Sequence, residues 1–103
     1  MPRFREISIS QIPTQERDTV RDIQYHIAQG NLGGNVYGNG GGYGGVILPS
    51  PSRGEQYREY QLGADRSGGA GKHRLVAKIG SDGKSIVAMY YSRDHYRHFD
   101  QVK

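Results

Sequence analysis

The sequence predicts an α+β domain in which an N-terminal helix packs on an antiparallel sheet of four to five strands. Val20, Ile23 and Ile27 recur at helical spacing, whereas the second half of the chain alternates between apolar and polar residues. Ser81-Asp82-Gly83-Lys84 is a hairpin turn signal, because Asp-Gly tolerates positive φ. With 103 residues, of which 34% are hydrophobic, the chain fits one domain, residues 1–103, with a modest core.

The N-terminal arm, residues 1–14, precedes the helix. Within it Ile7-Ser8-Ile9 alternates briefly and could be either an edge strand or an extended arm. Thr14 follows Pro13 and can serve as the N-cap, with Glu16 in the first turn. Gly30 is a good C-terminal stop. We therefore expect a helix over about residues 15–29.

Glycine dominates residues 30–45. Glycine loses more conformational entropy on folding than other residues, so we do not expect the interior of a helix or strand there. The Gly-rich loop, as we call residues 30–45, is either a mobile loop or backbone that approaches a ligand closely.

The strands of the sheet are predicted in the second half of the chain, at residues 56–62, 73–79, 85–91 and 96–102. In the first of these, Tyr57 and Glu59 share one face and Tyr60 the other. In the second, the alternation directs Leu75 toward the core and Val76 away from it.

Several classes of site and location are disfavoured by the sequence. The chain has no cysteine, which excludes disulfides and thiolate metal sites. No apolar run approaches the roughly 18 residues of a membrane helix, so we expect no membrane insertion. Gly40-Gly41-Gly42-Tyr43-Gly44-Gly45 formally matches a dinucleotide motif but precedes no helix. His95-x-x-His98 lacks an evident third ligand, so we expect neither a metal nor another cofactor.

The net charge of +4 favours an anionic partner. Fourteen Lys and Arg stand against ten Asp and Glu, and most of the basic residues lie in the second half of the chain. Cations interleaved with tyrosines suit a polyanion with stackable bases, such as RNA. The alternative is that the charge merely keeps a small protein in solution.

Two segments carry groups suited to acid–base chemistry, Tyr57-Arg58-Glu59-Tyr60 and Asp94-His95-Tyr96. A carboxylate, an imidazole and nearby guanidiniums could cleave a phosphodiester without a metal, because one group takes a proton while another donates one. Taken singly, Glu59 could be an exposed strand carboxylate and His95 a turn histidine. We expect Asp94 to brace the turn and Phe99 to belong to the core.

These segments, with a glycine-rich turn containing Arg66 and then Arg74-Leu75-Val76, resemble the barnase-like bacterial ribonucleases in order and approximate spacing. The resemblance implies the barnase-like microbial ribonuclease fold. It makes Glu59 the general base, His95 the general acid, and Arg74 and Arg66 the phosphate-binding arginines. It also implies that Tyr96 stacks near the base or closes the site.

Further RNA contacts are expected from residues of the loops and strands around these groups: Arg58, Lys72, Asn39, Tyr37 and Tyr43. Guanine-preferring members of the family read the base with a loop glutamate. No acidic residue lies between Gly30 and Arg53 here, so the sequence leaves the base preference open.

The sequence thus predicts a metal-independent endoribonuclease that cuts single-stranded RNA through a 2′,3′-cyclic phosphate, which is then hydrolysed. By resemblance we expect a monomeric toxin module, secreted or delivered as part of a larger protein, that acts in the cytoplasm of a target cell and is blocked by a small acidic inhibitor (immunity) protein. A non-catalytic RNA-binding module and a structural domain that assembles through the Gly-rich loop are the alternatives.

Overall fold

The computed structural model describes residues 4–40, 46–63 and 71–103. It consists of one α-helix, one short 3-10 helix (Ile9–Gln11) and one sheet. The helix α1 spans Thr14–Ala28. The strands are β1 (Arg5–Ile7), β2 (Asn35–Val36), β3 (Gln56–Gln61), β4 (Arg74–Ile79), β5 (Ile86–Ser92) and β6 (Asp100–Val102). The predicted α+β class is confirmed, with six strands rather than four or five.

Helix α1 begins one residue earlier than predicted. Pro13, with φ −51° and ψ 141°, is the N-cap, and its carbonyl accepts hydrogen bonds from the amides of Glu16 and Arg17. The expectation that Thr14 is the N-cap is wrong, because proline at the cap leaves Thr14 as the first helical residue. The predicted stop at Gly30 is confirmed. Gly30 has φ +83°, and its amide donates to the carbonyl of Ile27 at 2.8 Å.

The sheet has the order β1-β6-β5-β4-β3-β2. All neighbouring strands are antiparallel except β1 and β6, which are parallel. The segment around Ile7 is therefore an edge strand rather than an extended arm. The second additional strand, β2, lies in the Gly-rich loop, where no regular element was expected. It has only two residues, which pair with Glu59 and Arg58 of β3.

The last strand begins at Asp100, not at residue 96 as predicted. His95 and Tyr96 have φ of +56° and +74°, values that an extended strand does not adopt. Residues 96–99 instead form a turn that leads into β6. Phe99 is 6% exposed and packs in a core, as expected.

Both faces of the sheet are covered. The main core lies between the sheet and α1 and includes Ile27, Leu75 and Tyr91. On the other face a smaller core contains Leu48, Tyr57, Val76, Tyr90, Tyr96 and Phe99. Val76 was expected to face away from the core. It is fully buried nonetheless, because aromatic rings from the loops cover this second face.

Helix α1 is neither long nor apolar enough to cross a membrane, and no other helix in the described ranges could do so.

Candidate active site

The candidate site lies on the second face of the sheet, the face that does not contact α1. Glu59 of β3 pairs with Val76 of β4, and Arg74 lies two residues from Val76 on the same strand. Because side chains two apart on a strand share a face, Glu59, Val76 and Arg74 point to the same side. The second core therefore continues into a polar end formed by a carboxylate and a guanidinium.

Tyr96 is the link between Glu59 and the loop that follows β5. Its hydroxyl donates a hydrogen bond of 3.0 Å to Oε2 of Glu59. Burial, followed by the negative charge of Glu59 and this hydrogen bond, raises the pKa of Tyr96 well above its ordinary value, while the charge of Arg74 opposes the shift. The phenol thus stays protonated at neutral pH and remains a donor to the carboxylate.

His95 lies directly beside Tyr96, with ring centroids 5.0 Å apart. The imidazole and the Glu59 carboxylate are therefore neighbours of one phenol ring, and the structure brings the two predicted proton-transfer groups to one place. The His95 amide donates to the carbonyl of Lys72 at 2.9 Å, which fixes the loop to the start of β4. Two consecutive left-handed residues without glycine are uncommon, and such backbone strain clusters at functional sites.

The turn that carries His95 is held by Ser92 and Asp94. The buried hydroxyl of Ser92 accepts the amide of Tyr96 at 2.9 Å and donates to Asp94 at 3.0 Å. Asp94 also accepts the amide of His98 at 2.9 Å and contacts the His98 ring, so it braces the turn as expected. Burial raises the pKa of Asp94, but the hydrogen bonds from His98 and Ser92 outweigh it and lower the pKa. Sequence reasoning missed Ser92, although a serine two residues before an aspartate is a turn signal.

Arg74 is held by the backbone that precedes it. Its Nη1 donates to the carbonyl of His73 at 2.9 Å and to that of Gly71. Arg74 is half-buried, and its positive charge acts to lower the pKa of the Tyr96 phenol. Arg74 therefore presents a fixed positive charge on the side of the sheet that carries Glu59.

Tyr37, the residue after β2, adds an aromatic ring to the site. Its ring centroid is 5.1 Å from that of Tyr96, and burial together with the charge of Glu59 raises its pKa. Asn39 has φ +55°. Its side-chain NH₂ donates to the carbonyl of Leu48 at 3.0 Å, and its side-chain oxygen accepts the amide of Leu48 at 2.7 Å. In this structure the Asn39 side chain closes the loop, while Tyr37 faces the site.

The remaining residues predicted to contact RNA are placed less directly. Arg58 points to the opposite face of the sheet, where its guanidinium donates to the carbonyls of Gly33 and Gly34. The structure does not bring it to Glu59, because neighbouring residues of a strand face opposite sides. Lys72 is exposed beside the His95 loop. Arg66 and Tyr43 lie outside the described residues.

No group of three or more His, Cys, Asp or Glu side chains within residues 4–40, 46–63 and 71–103 is arranged to hold a metal ion. The groups assembled here are instead a carboxylate, an imidazole, a phenol and a guanidinium around one aromatic patch. Such a set can exchange protons with a substrate and stabilise negative charge on it.

Comparisons with known proteins show what the chain is similar to. A family model described as ribonuclease matches residues 3–103. Among solved structures, ribonuclease Sa2 in complexes with mononucleotides is 26% identical, with a TM-score of 0.68 over 100% of this chain and 97% of that one. Two further structures of ribonuclease Sa2, with guanosine-2′-cyclophosphate and with 3′-GMP, are each 24% identical. They cover 97% of both chains, with TM-scores of 0.62 and 0.61, and show the shared fold. No curated relative matches the sequence.

Proposed function

The chain belongs to the ribonuclease family and is an endoribonuclease, and from this premise we propose that it cuts single-stranded RNA without a metal, by transphosphorylation followed by hydrolysis. The observation that carries the proposal is that Tyr96 contacts both Glu59 and His95. The carboxylate is hydrogen-bonded to the Tyr96 hydroxyl, and the imidazole lies beside the same ring.

In the first step Glu59, as a carboxylate, accepts the proton of the ribose 2′-hydroxyl while the 2′-oxygen attacks phosphorus. His95, protonated, donates to the 5′-oxygen as the P–O5′ bond breaks, and the product is a 2′,3′-cyclic phosphate. In the second step the roles exchange. His95 takes a proton from water as the water oxygen attacks phosphorus, and Glu59 returns a proton to the 2′-oxygen as the P–O2′ bond breaks, which leaves a 3′-phosphate. DNA lacks the 2′-hydroxyl and is not a substrate.

Arg74 stabilises the charge that develops on the phosphoryl oxygens, since a fixed guanidinium needs no reorganisation during the reaction. We assign Arg66 the same role by family resemblance. On the base side, the rings of Tyr37 and Tyr96 offer a surface for stacking. Structures of ribonuclease Sa2 contain guanosine-2′-cyclophosphate and 3′-GMP. Because this chain has no acidic residue between Gly30 and Arg53, we propose that it discriminates guanine only weakly.

The decisive experiment is digestion of RNA in EDTA by the wild-type protein and by the variants Glu59→Gln and His95→Ala. We expect the wild type to release fragments that end in cyclic phosphate, and each variant to lose at least about a hundredfold in kcat, the usual worth of a general acid or base. Both variants should still bind RNA, because Arg74 and the other Lys and Arg side chains remain.

Intact RNA with the wild type would contradict catalysis and leave an RNA-binding module. Cleavage only when a divalent ion is added would contradict the metal-free mechanism. Normal cleavage by either variant would contradict the role assigned to that residue.

We further propose that the enzyme is a toxin domain, secreted or delivered within a larger protein, that acts in the cytoplasm of a target cell. The support is the family resemblance and the net charge of +4, which suits a small acidic inhibitor that covers the site. Inducible expression in bacterial cytoplasm should stop growth with the wild type and not with His95→Ala. Equal growth of the two strains at equal protein levels would contradict the toxin role.

A further inference from the structure

A second group of polar side chains lies on the face of the sheet that contacts α1, away from the proposed acid and base. It consists of Glu16 in the first turn of α1, His73 just before β4, and Tyr91 near the end of β5. Nδ1 of His73 is 2.9 Å and 2.8 Å from the two carboxylate oxygens of Glu16. The Tyr91 hydroxyl donates to Oε1 of Glu16 at 2.8 Å and lies 3.1 Å from the same ring nitrogen.

Two of these side chains are largely shielded from water, whereas that of His73 is 35% exposed. The Glu16 side chain is 12% exposed, and Tyr91 is 1% exposed. Burial, followed by the hydrogen bond and charge of Glu16, raises the pKa of Tyr91 well above its ordinary value, although Arg93 opposes the shift. A buried carboxylate is costly unless donors satisfy it, and here His73 and Tyr91 both supply one. The group therefore fixes the orientation of the His73 ring relative to α1 and β5.

The backbone beside His73 holds the proposed catalytic groups on the other face. The carbonyls of Gly71 and His73 accept the guanidinium of Arg74. The carbonyl of Lys72 accepts the amide of His95 at 2.9 Å. The carbonyls of residues 71–73 thus orient Arg74 and His95, the proposed phosphate-binding residue and general acid. The same segment is anchored to α1 by the side chain of His73.

We infer that Glu16 is a positioning residue for catalysis, which holds His73 and thereby keeps residues 71–73 in the place that Arg74 and His95 require. The described side-chain hydrogen bonds of Glu16 are to His73 and Tyr91, so it acts on the proposed catalytic groups through His73. Small displacements of reacting groups are costly in rate, so a loosened 71–73 segment lowers kcat even when the fold is intact. The inference rests on the proposed function and adds to it a residue from the helix.

The test compares Glu16→Ala, Glu16→Gln and Asp82→Ala by steady-state kinetics on a dinucleotide and by amide hydrogen exchange. Asp82 caps the β4–β5 turn at the far end of the sheet, where its carboxylate accepts the amides of Lys84 and Ser85 and the Ser85 hydroxyl. Asp82→Ala therefore removes stabilising hydrogen bonds without touching residues 71–73, and serves as the control for a general loss of stability.

We expect Glu16→Ala to lower kcat about tenfold or more with KM within about threefold, the pattern of an interaction realised in the transition state. The amide of His95 should exchange at least about tenfold faster, because its bond to Lys72 opens more often. Glu16→Gln should restore most of kcat, since its amide oxygen still accepts from Tyr91 and its NH₂ can donate to Nδ1 of the other His73 tautomer. Asp82→Ala should keep wild-type kcat and His95 exchange. Should Glu16→Ala not fold, Tyr91→Phe removes one donor alone and should lower kcat about threefold.

Wild-type kcat and His95 exchange in Glu16→Ala would overturn the inference, as would an equal loss of kcat in Asp82→Ala. A failure of the proposed function is distinguishable from this. If the wild-type protein cuts no RNA, the exchange of the His95 amide still reports whether Glu16 holds the segment.

Discussion

At the scale of single residues, Tyr96 connects the most groups of the site. Its ring packs in the second core at 5% exposure, its hydroxyl holds Glu59, and its backbone adopts a left-handed conformation that directs His95 beside it. The sequence motif identified these residues, yet nothing in the local sequence predicts positive φ at a histidine and a tyrosine. That conformation depends on a local bond from the Tyr96 amide to Ser92 and on a tertiary contact, the bond from the His95 amide to the carbonyl of Lys72.

Tyr96→Phe separates the packing role of Tyr96 from its hydrogen bond. We expect kcat to fall about tenfold, because a hydrogen bond to a charged group is worth roughly 1.5–3 kcal/mol. The free energy of unfolding should also fall, by at most about 3 kcal/mol, because this hydrogen bond is lost while the ring remains. The control is Tyr60→Phe, which removes a hydroxyl that donates to the carbonyl of Leu32 at 2.6 Å on the other face of the sheet. It should lose stability and keep kcat, and the reverse pattern would contradict the role of the Tyr96 hydroxyl.

At the scale of elements, the spacing of apolar residues predicted the helix and the strands whose apolar faces are buried in the core. The apolar stripe of α1 and the alternation of β3 and β4 follow directly from Val20, Ile27 and Leu75. Of the two edge strands, β1 was expected only as an alternative to an extended arm and β2 was not expected, for a physical reason. Two or three residues are too few for a periodic signal, and β1 is stabilised by its pairing with β6 rather than by its own sequence. Arg58 was assigned to the site although strand alternation alone places it on the opposite face.

In the described part of the Gly-rich loop, the Cβ position of Gly34 lies against β3 and that of Gly33 does not, so this pair of glycines tests the close approach. Gly33 and Gly34 have φ of +60° and +59°. A Cβ at Gly34 would lie 2.3 Å from the carbonyl oxygen of Glu59, whereas a Cβ at Gly33 meets nothing within 4 Å. Gly33→Ala should therefore cost about 1 kcal/mol of unfolding free energy, the strain of the left-handed backbone alone.

Gly34→Ala adds a clash and should cost about 3 kcal/mol or more, with a loss of kcat because the strand shifts at Glu59. Urea unfolding of both variants measures the difference. Equal stability of the two would show that this part of the loop does not press against β3.

At the scale of the whole molecule, the site is assembled from distant parts of the chain. β3 supplies Glu59, the start of β4 supplies Arg74, and the β5–β6 turn supplies His95, all brought together by the order of one sheet. The residues themselves were predicted from the sequence motifs and their resemblance to the ribonuclease family. The support from Glu16 could not, because only the packing of α1 on the sheet places that residue beside His73.

The salt dependence of RNA binding can distinguish the effect of the protein's net charge from that of a direct phosphate contact at Arg74. In a His95→Ala background, which prevents cleavage, the affinity for single-stranded RNA should fall as the KCl concentration rises. Adding Arg74→Gln should reduce the magnitude of the log–log slope by about 0.7, the release expected for one phosphate contact. Adding Arg5→Gln removes the same charge from a residue paired with Asp100 at the edge of the sheet, and should leave the slope unchanged. Equal effects of the two variants would contradict a phosphate contact at Arg74.

The parallel pairing of β1 with β6 has a consequence for how the protein is made. Arg5 and Asp100 are 95 positions apart in the chain, so at roughly 5–20 residues per second a ribosome needs about 5–20 s to deliver the partner of the first strand. Throughout that interval the turn with His95 is either not yet synthesised or not yet closed by β6. The proposed site can therefore close only when synthesis of this region is nearly finished.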